Sequence, residues 1–194
     1  MATVVELRPR VRQEFTSSLG MIVFLASWAM MFAGLFFAYG FIRTKAVVWP
    51  PVGTPRLSLT LPAINTVVLG ASSWSFARGL EAVRRGRQGP FRAMVAATLG
   101  LGALFLALQI AVFRDAAAAG LTITNGLYGG VFWAFTAVHA AHVAVGLGIV
   151  LWLLVQAVRG RCTEHDAVNV RLCSMYWHFV GVVWALMFLT IYVL

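Results

Sequence analysis

A chain of 194 residues that is 61% hydrophobic and 11% charged, with a mean hydropathy of +0.86, lies far from soluble proteins, in which about 25% of residues are charged. That composition excludes a soluble globular domain and marks an integral membrane protein. The formal net charge of +9 speaks to membrane orientation rather than to nucleic acid, because in such proteins Lys and Arg sort by side of the bilayer.

The gaps between charged residues count the spans. Phe15 to Ile42, Leu57 to Ala77, Ala93 to Phe113, Ala116 to Val158 and Leu172 to Leu194 carry no charge. Each is long enough for a hydrocarbon core about 30 Å thick, which takes roughly 20 helical residues. The fourth gap is long enough for two spans, but its start holds Gly120, Thr122, Thr124, Asn125 and Gly126, turn-forming residues that read as a loop. The sequence therefore predicts an all-α polytopic bundle of five transmembrane helices, at residues 19–42, 59–83, 93–113, 127–158 and 171–194, preceded by a tail over residues 1–18.

The tail carries Glu6, Arg8, Arg10, Arg12 and Glu14, and the first apolar run is too long for the core of a cleavable signal peptide, so the first span is expected to stay. With five spans, eleven of the fifteen Lys and Arg residues fall on the side of the N terminus, and Arg43, Lys45, Arg56 and Arg114 on the other. This split predicts a cytoplasmic N terminus, a C terminus outside and a basic second loop that attracts anionic lipid head groups.

Span one mixes Gly20, Gly34 and Gly40 with Trp28, Met30, Phe32 and Phe36, a pattern that permits close helix packing. Trp49-Pro50-Pro51 then stops the helix, with Trp49 suited to the membrane interface. Span two places Asn65, Ser72 and Ser73 on one face, which should turn toward protein, and ends near Arg78 and Glu81. Gly86, Gln88, Gly89 and Pro90 make the turn into span three, which closes at Gln109.

Span four holds the most informative stretch. Thr136, His139, His142 and Gly146 recur at intervals of three, three and four and so share one helix face. Polar groups in hydrocarbon need partners, so this face must meet protein. Span five contains Tyr176-Trp177-His178-Phe179, expected near the cytoplasmic end in an aromatic interfacial belt. Cys162 and Cys173 match no zinc spacing and read as reduced thiols.

His139 and His142, with His178, form the one candidate ligand set for haem or copper. Two histidines three apart on one helix supply at most two ligands, and no carboxylate lies within a span to complete a site. The same lack of ionisable residues, and the absence of equal halves, argues against a transporter. No nucleophile, base and acid assemble. The residues alone lead to a helical membrane protein whose polar faces serve packing, with a stand-alone histidine-ligated haem or copper protein as the alternative.

Several stretches, in order, resemble subunit III of the haem-copper cytochrome oxidases in its short five-helix bacterial form. They are Gly20-Met21 with Phe24-Leu25-Ala26-Ser27 and Phe32-Ala33-Gly34-Leu35-Phe36, then Trp49-Pro50-Pro51, and Pro62 with Asn65-Thr66 and Ser72-Ser73. Gln109 and Asn125-Gly126-Leu127-Tyr128-Gly129 follow. Thr136, His139, His142, Val143 and Gly146 resemble the family's helix signature, and Tyr176 to Val180 with Val182-Val183-Trp184 its last helix.

The resemblance implies a subunit of a respiratory complex in the bacterial cytoplasmic membrane, not itself catalytic and with no cofactor of its own. Haems and copper would reside in partner subunits I and II, while this chain packs on subunit I, holds phospholipid and helps sustain proton uptake through its partner. Asn65, Arg78, Thr136, His139, His142, Gly146, Trp177 and His178 become the candidates for lipid or subunit contact. The family's fold also serves some nitric oxide reductases as an accessory subunit. Three departures stand out: Trp28, Val112 and Gly181 occupy positions where the family usually has acidic residues, which weakens any role in carrying protons within this chain.

Overall fold

The computed structural model describes residues 3–49, 58–124, 126–162 and 166–193, with side chains from Phe15 onward. Pro50, Pro51, Arg56 and Asn125 lie outside the described residues, as do the side chains of Glu6, Arg8, Arg10, Arg12 and Glu14.

Five α-helices follow one another: α1 (Thr3–Lys45), α2 (Thr60–Arg84), α3 (Gln88–Ala118), α4 (Gly126–Val158) and α5 (Ala167–Met187), the last continuing into a π-helical turn over Phe188–Val193. The stretches Phe15–Lys45, Gln88–Ala118, Gly126–Val158 and Ala167–Val193 are long and apolar enough to cross a membrane, and α2 is not among them. Its deficit comes from Asn65, Ser72 and Ser75, which the bundle buries, and from Thr66 and Ser73, which it covers in part. In α1 the expected tail and first span form one continuous helix.

The helix ends are written in glycine. After α3, Gly120 takes φ +84, and the chain closes with Leu121 N donating to Ala116 O at 2.9 Å and Gly120 N to Ala117 O at 3.0 Å. This pair of bonds caps the last carbonyls and needs a left-handed residue that only glycine adopts without strain. The same closure ends α2 at Gly86 and α4 at Gly160. Pro90 sits in the first turn of α3, where its missing N–H costs no internal bond.

Helices α2 and α3 form the most extensive pair; α4 packs on α3, and α5 closes the bundle against α2 and α4. α1 lies at the edge, touching α4 and α5. Large side chains fill the interior where glycines make room. Trp177, fully buried, lies against Gly102 of α3 and Gly146 of α4, where an added Cβ would stand 2.7 Å and 3.0 Å from its ring.

Candidate functional site

The polar face of α4 points into the bundle. Thr136 is buried and donates its hydroxyl to Phe132 O at 2.7 Å, which satisfies it within its own helix. His139, 1% exposed, stands among the rings of Phe32, Phe105 and Trp184, with centroids at 6.4, 6.0 and 5.5 Å. Among the described residues neither of its ring nitrogens has a hydrogen-bond partner; the surrounding aromatic faces are its environment. Gly146 completes the face as the seat of Trp177.

His142 leaves this interior. It is half-buried, and its Nδ1 lies 2.7 Å from Val138 O, so Nδ1 carries the proton and donates. Trp28 of α1 meets its ring edge-on at 4.2 Å, and Phe32 stands between the two histidines at 5.3 Å from His142. Tyr176 of α5 donates its hydroxyl to His142 O at 3.0 Å. His139 and His142 share Phe32 but otherwise face different neighbours, and among the described residues no three His, Cys, Asp or Glu side chains gather where a metal ion could be held.

Beside His142 a groove of about 370 Å³ opens between α1, α4 and α5, walled by Met21, Phe24, Trp28, Cys173 and Tyr176 among others. Its size falls within the range of small-ligand sites, about 300–1,000 Å³, and its walls are almost wholly apolar. Near its end Arg171, which precedes the wall residue Leu172, donates through Nη2 to Ser18 Oγ of α1.

A second polar system joins α2 to its neighbours. Asn65, fully buried, donates from Nδ2 to Gln109 Oε1 of α3 at 3.3 Å. Trp177 Nε1 donates to Ser72 Oγ at 3.1 Å, and Ser72 passes its own proton to Thr98 O at 3.2 Å. One heptad along α5, Trp184 Nε1 donates to Thr66 Oγ1 at 3.1 Å, which in turn donates to Pro62 O at 2.9 Å. In hydrocarbon such bonds replace partners that water would otherwise supply.

Asn65, Thr136, His139, Gly146 and Trp177 therefore find their contacts inside the chain. Trp177 is not an interfacial residue as expected: glycines on α3 and α4 open a pocket for its ring, and Ser72 takes its N–H. Arg78 is exposed at the end of α2, over the Trp74 ring and 3.4 Å from Glu81. His142 and His178 are half-buried. The pairing of Trp184 with Thr66 escaped the sequence reading; hydroxyls on α2 facing tryptophans a heptad apart on α5 were the available signal.

Comparison with known proteins decides the family. The family model described as cytochrome c oxidase subunit III matches residues 9–194. The chain belongs to this family. It is 32% identical over 176 residues to cytochrome c oxidase subunit 3 of Synechocystis sp., covering 90% of this chain and 74% of the relative. A probable cytochrome c oxidase subunit 3 of Nocardia farcinica is 38% identical over 90% of this chain and 86% of its own length. The similarity reaches subunit 3 of Loxodonta africana, 31% identical over 89% of this chain and 67% of the relative. The chain is an integral multi-pass membrane protein, and family membership carries with it the place of an accessory subunit in a haem-copper oxidase complex.

Proposed function

We propose that this chain is the non-redox subunit III of a bacterial respiratory haem-copper oxidase, bracing subunit I alongside subunit II and seating phospholipid, in the cytoplasmic membrane with its N terminus inside. Support comes first from α4, whose histidine-bearing face is closed off by the chain's own aromatic residues. A side chain so enclosed serves the shape of the bundle.

The seat for phospholipid is the groove beside Trp28 and His142, where apolar walls suit an acyl chain and Arg171 stands near one end. Trp28 replaces the family's usual acidic residue by an indole packed on His142, so the wall it adds is apolar. The eleven-to-four division of Lys and Arg supports the proposed orientation. α2 counts as the fifth span on this reading because its polar groups are paired inside the bundle, which offsets its weaker hydropathy.

The test is purification of the complex through a tag on this chain. Oxidase subunits I and II, haem signals assigned to them, and bound phospholipid detected by mass spectrometry are expected. Stoichiometric haem or copper in the separated chain, lost on His139→Ala or His142→Ala, would refute the non-redox role. Co-purification with nitric oxide reductase chains instead would move the subunit to that complex.

A further inference from the structure

The deepest polar groups of the bundle do not close on one another. Asn65 of α2, Gln109 of α3 and His139 of α4 are each 1% exposed or less. One bond joins the two amides, from Asn65 Nδ2 to Gln109 Oε1 at 3.3 Å. It leaves Asn65 Oδ1 and Gln109 Nε2 without a partner among the described residues, and both ring nitrogens of His139 are in the same position. Turning the amides over changes nothing, because a single bond between two amides always leaves one carbonyl oxygen and one amide nitrogen unused. An enclosed polar atom left unmet costs about 1–3 kcal/mol, so four of them in one core call for a further partner.

The three side chains share one level of the bundle. His139 packs on Phe105 of α3 and Trp184 of α5, and Trp184 in turn donates to Thr66, the neighbour of Asn65 in α2. α3 and α4 run antiparallel, with Gly102 beside Leu147 and Phe105 beside His139. Gln109, one turn beyond Phe105 on the same face of α3, therefore falls opposite the stretch from Thr136 to His139. The unmet atoms are also complementary. Asn65 Oδ1 accepts, Gln109 Nε2 donates, and an imidazole in its neutral form does one at each nitrogen.

We propose that an ordered water binds at this junction of α2, α3 and α4, accepting from Gln109 Nε2 and donating to Asn65 Oδ1 and to the acceptor nitrogen of His139. Three bonds are the usual complement of a buried water. The remaining N–H of His139 is left among the rings of Phe32, Phe105 and Trp184, whose faces are weak acceptors. A metal ion does not suit a site built of amides and one imidazole, with no carboxylate or thiolate among the described residues gathered there. A lipid does not reach it either, since the apolar groove is walled by His142 and not by His139. The water ties α4 to the α2–α3 pair through bonds that the side chains do not make with one another. The inference concerns the chain's own core and holds whichever complex the chain joins.

The test begins with a map of the unaltered chain, in the assembly with which it purifies, resolved finely enough to show ordered water. A peak within hydrogen-bond reach of Asn65 Oδ1, Gln109 Nε2 and one nitrogen of His139 is expected. Gln109→Leu, His139→Leu and the double variant are then unfolded in mixed micelles titrated with SDS. If both residues hold one water, either change alone already breaks the bridge. The double variant should then exceed the stability given by adding the two separate losses, by about threefold to twentyfold in the unfolding constant, the span of one interhelical hydrogen bond in a membrane. Gln109→Leu combined with Ser72→Ala, whose bond to Trp177 is a separate one, should show additive losses. A map without the peak, or with His139 bonded directly to either amide, would overturn the proposal, and so would additive losses for Gln109→Leu and His139→Leu. Should His139→Leu fail to fold, the map of the unaltered chain decides.

Discussion

Replacing Gly102 by alanine tests whether Trp177 sets the spacing of three helices. The new Cβ would lie 2.7 Å from Trp177 Cη2, 2.9 Å from Cζ2 and 2.7 Å from Leu147 Cδ2, against about 3.5–4.0 Å for carbon atoms in contact. The Leu147 methyl is the free end of a flexible chain and gives way. The indole cannot: it is fully buried, its N–H is held by Ser72 at 3.1 Å, and its other edge lies 3.0 Å from the Cβ position of Gly146.

Overpacking of this kind costs about 1–3 kcal/mol, while the gain in helix propensity of alanine over glycine is about 1 kcal/mol. Gly100→Ala supplies the control, since nothing lies within 4 Å of its Cβ position and only the propensity gain applies. The two variants should thus differ by about 1–3 kcal/mol, read as unfolding free energy in mixed micelles titrated with SDS. Equal stability of the two would refute the view that Trp177 is clamped. Adding Trp177→Phe to Gly102→Ala should recover part of the loss, because the smaller ring vacates the contested space.

Ser72→Ala should cost about 1–3 kcal/mol in the same assay, because it strands the Trp177 N–H and leaves the ring without its anchor; a loss within error of zero would mean the bond at 3.1 Å contributes nothing. A hydrophobic carbodiimide should label no peptide inside a span, since the described carboxylates Glu81, Asp115 and Asp166 stand at helix ends and Trp28, Val112 and Gly181 are not acids; a labelled span peptide found by mass spectrometry would contradict this. Burial, and then the nearby Asp166 charge, raise the Cys162 thiol above the usual thiol range. The thiolate fraction at a given pH is therefore lowered, and in a Cys173→Ala background alkylation should be slow at neutral pH and accelerate only above the range of free cysteine. Labelling at pH 7.5 as fast as for a model thiol would count against it.

Much of the architecture can be read from charge and glycine alone. The expected span 127–158 sits beside the observed helix Gly126–Val158, because a glycine with positive φ opens it and another closes it. α3 extends further than its apolar core, over Gln88–Ala118, since Arg92, Arg114 and Asp115 remain helical at its ends; a gap between charges measures the hydrophobic stretch, not the helix. Which face of α2 turns inward was legible from Asn65 and Ser72. What those residues meet was not: Trp177 and Ser72 are far apart in sequence, and their register depends on the glycines of α3 and α4, which no local periodicity reports. The same blindness placed Trp177 at an interface, since composition cannot tell a tryptophan that anchors to head groups from one that fills a cavity.

The paired tryptophan-to-hydroxyl bonds between α5 and α2 bear on how the chain is made. α2 lacks the apolarity of the other four helices, while two of its hydroxyls receive their indole donors from α5, which is synthesised after α2, α3 and α4. Until then α2 has α3 as its main partner. A chain cut before Ala167 would leave Ser72 and Thr66 of α2 without their indole donors, so the polar face of α2 is completed only once α5 has been made.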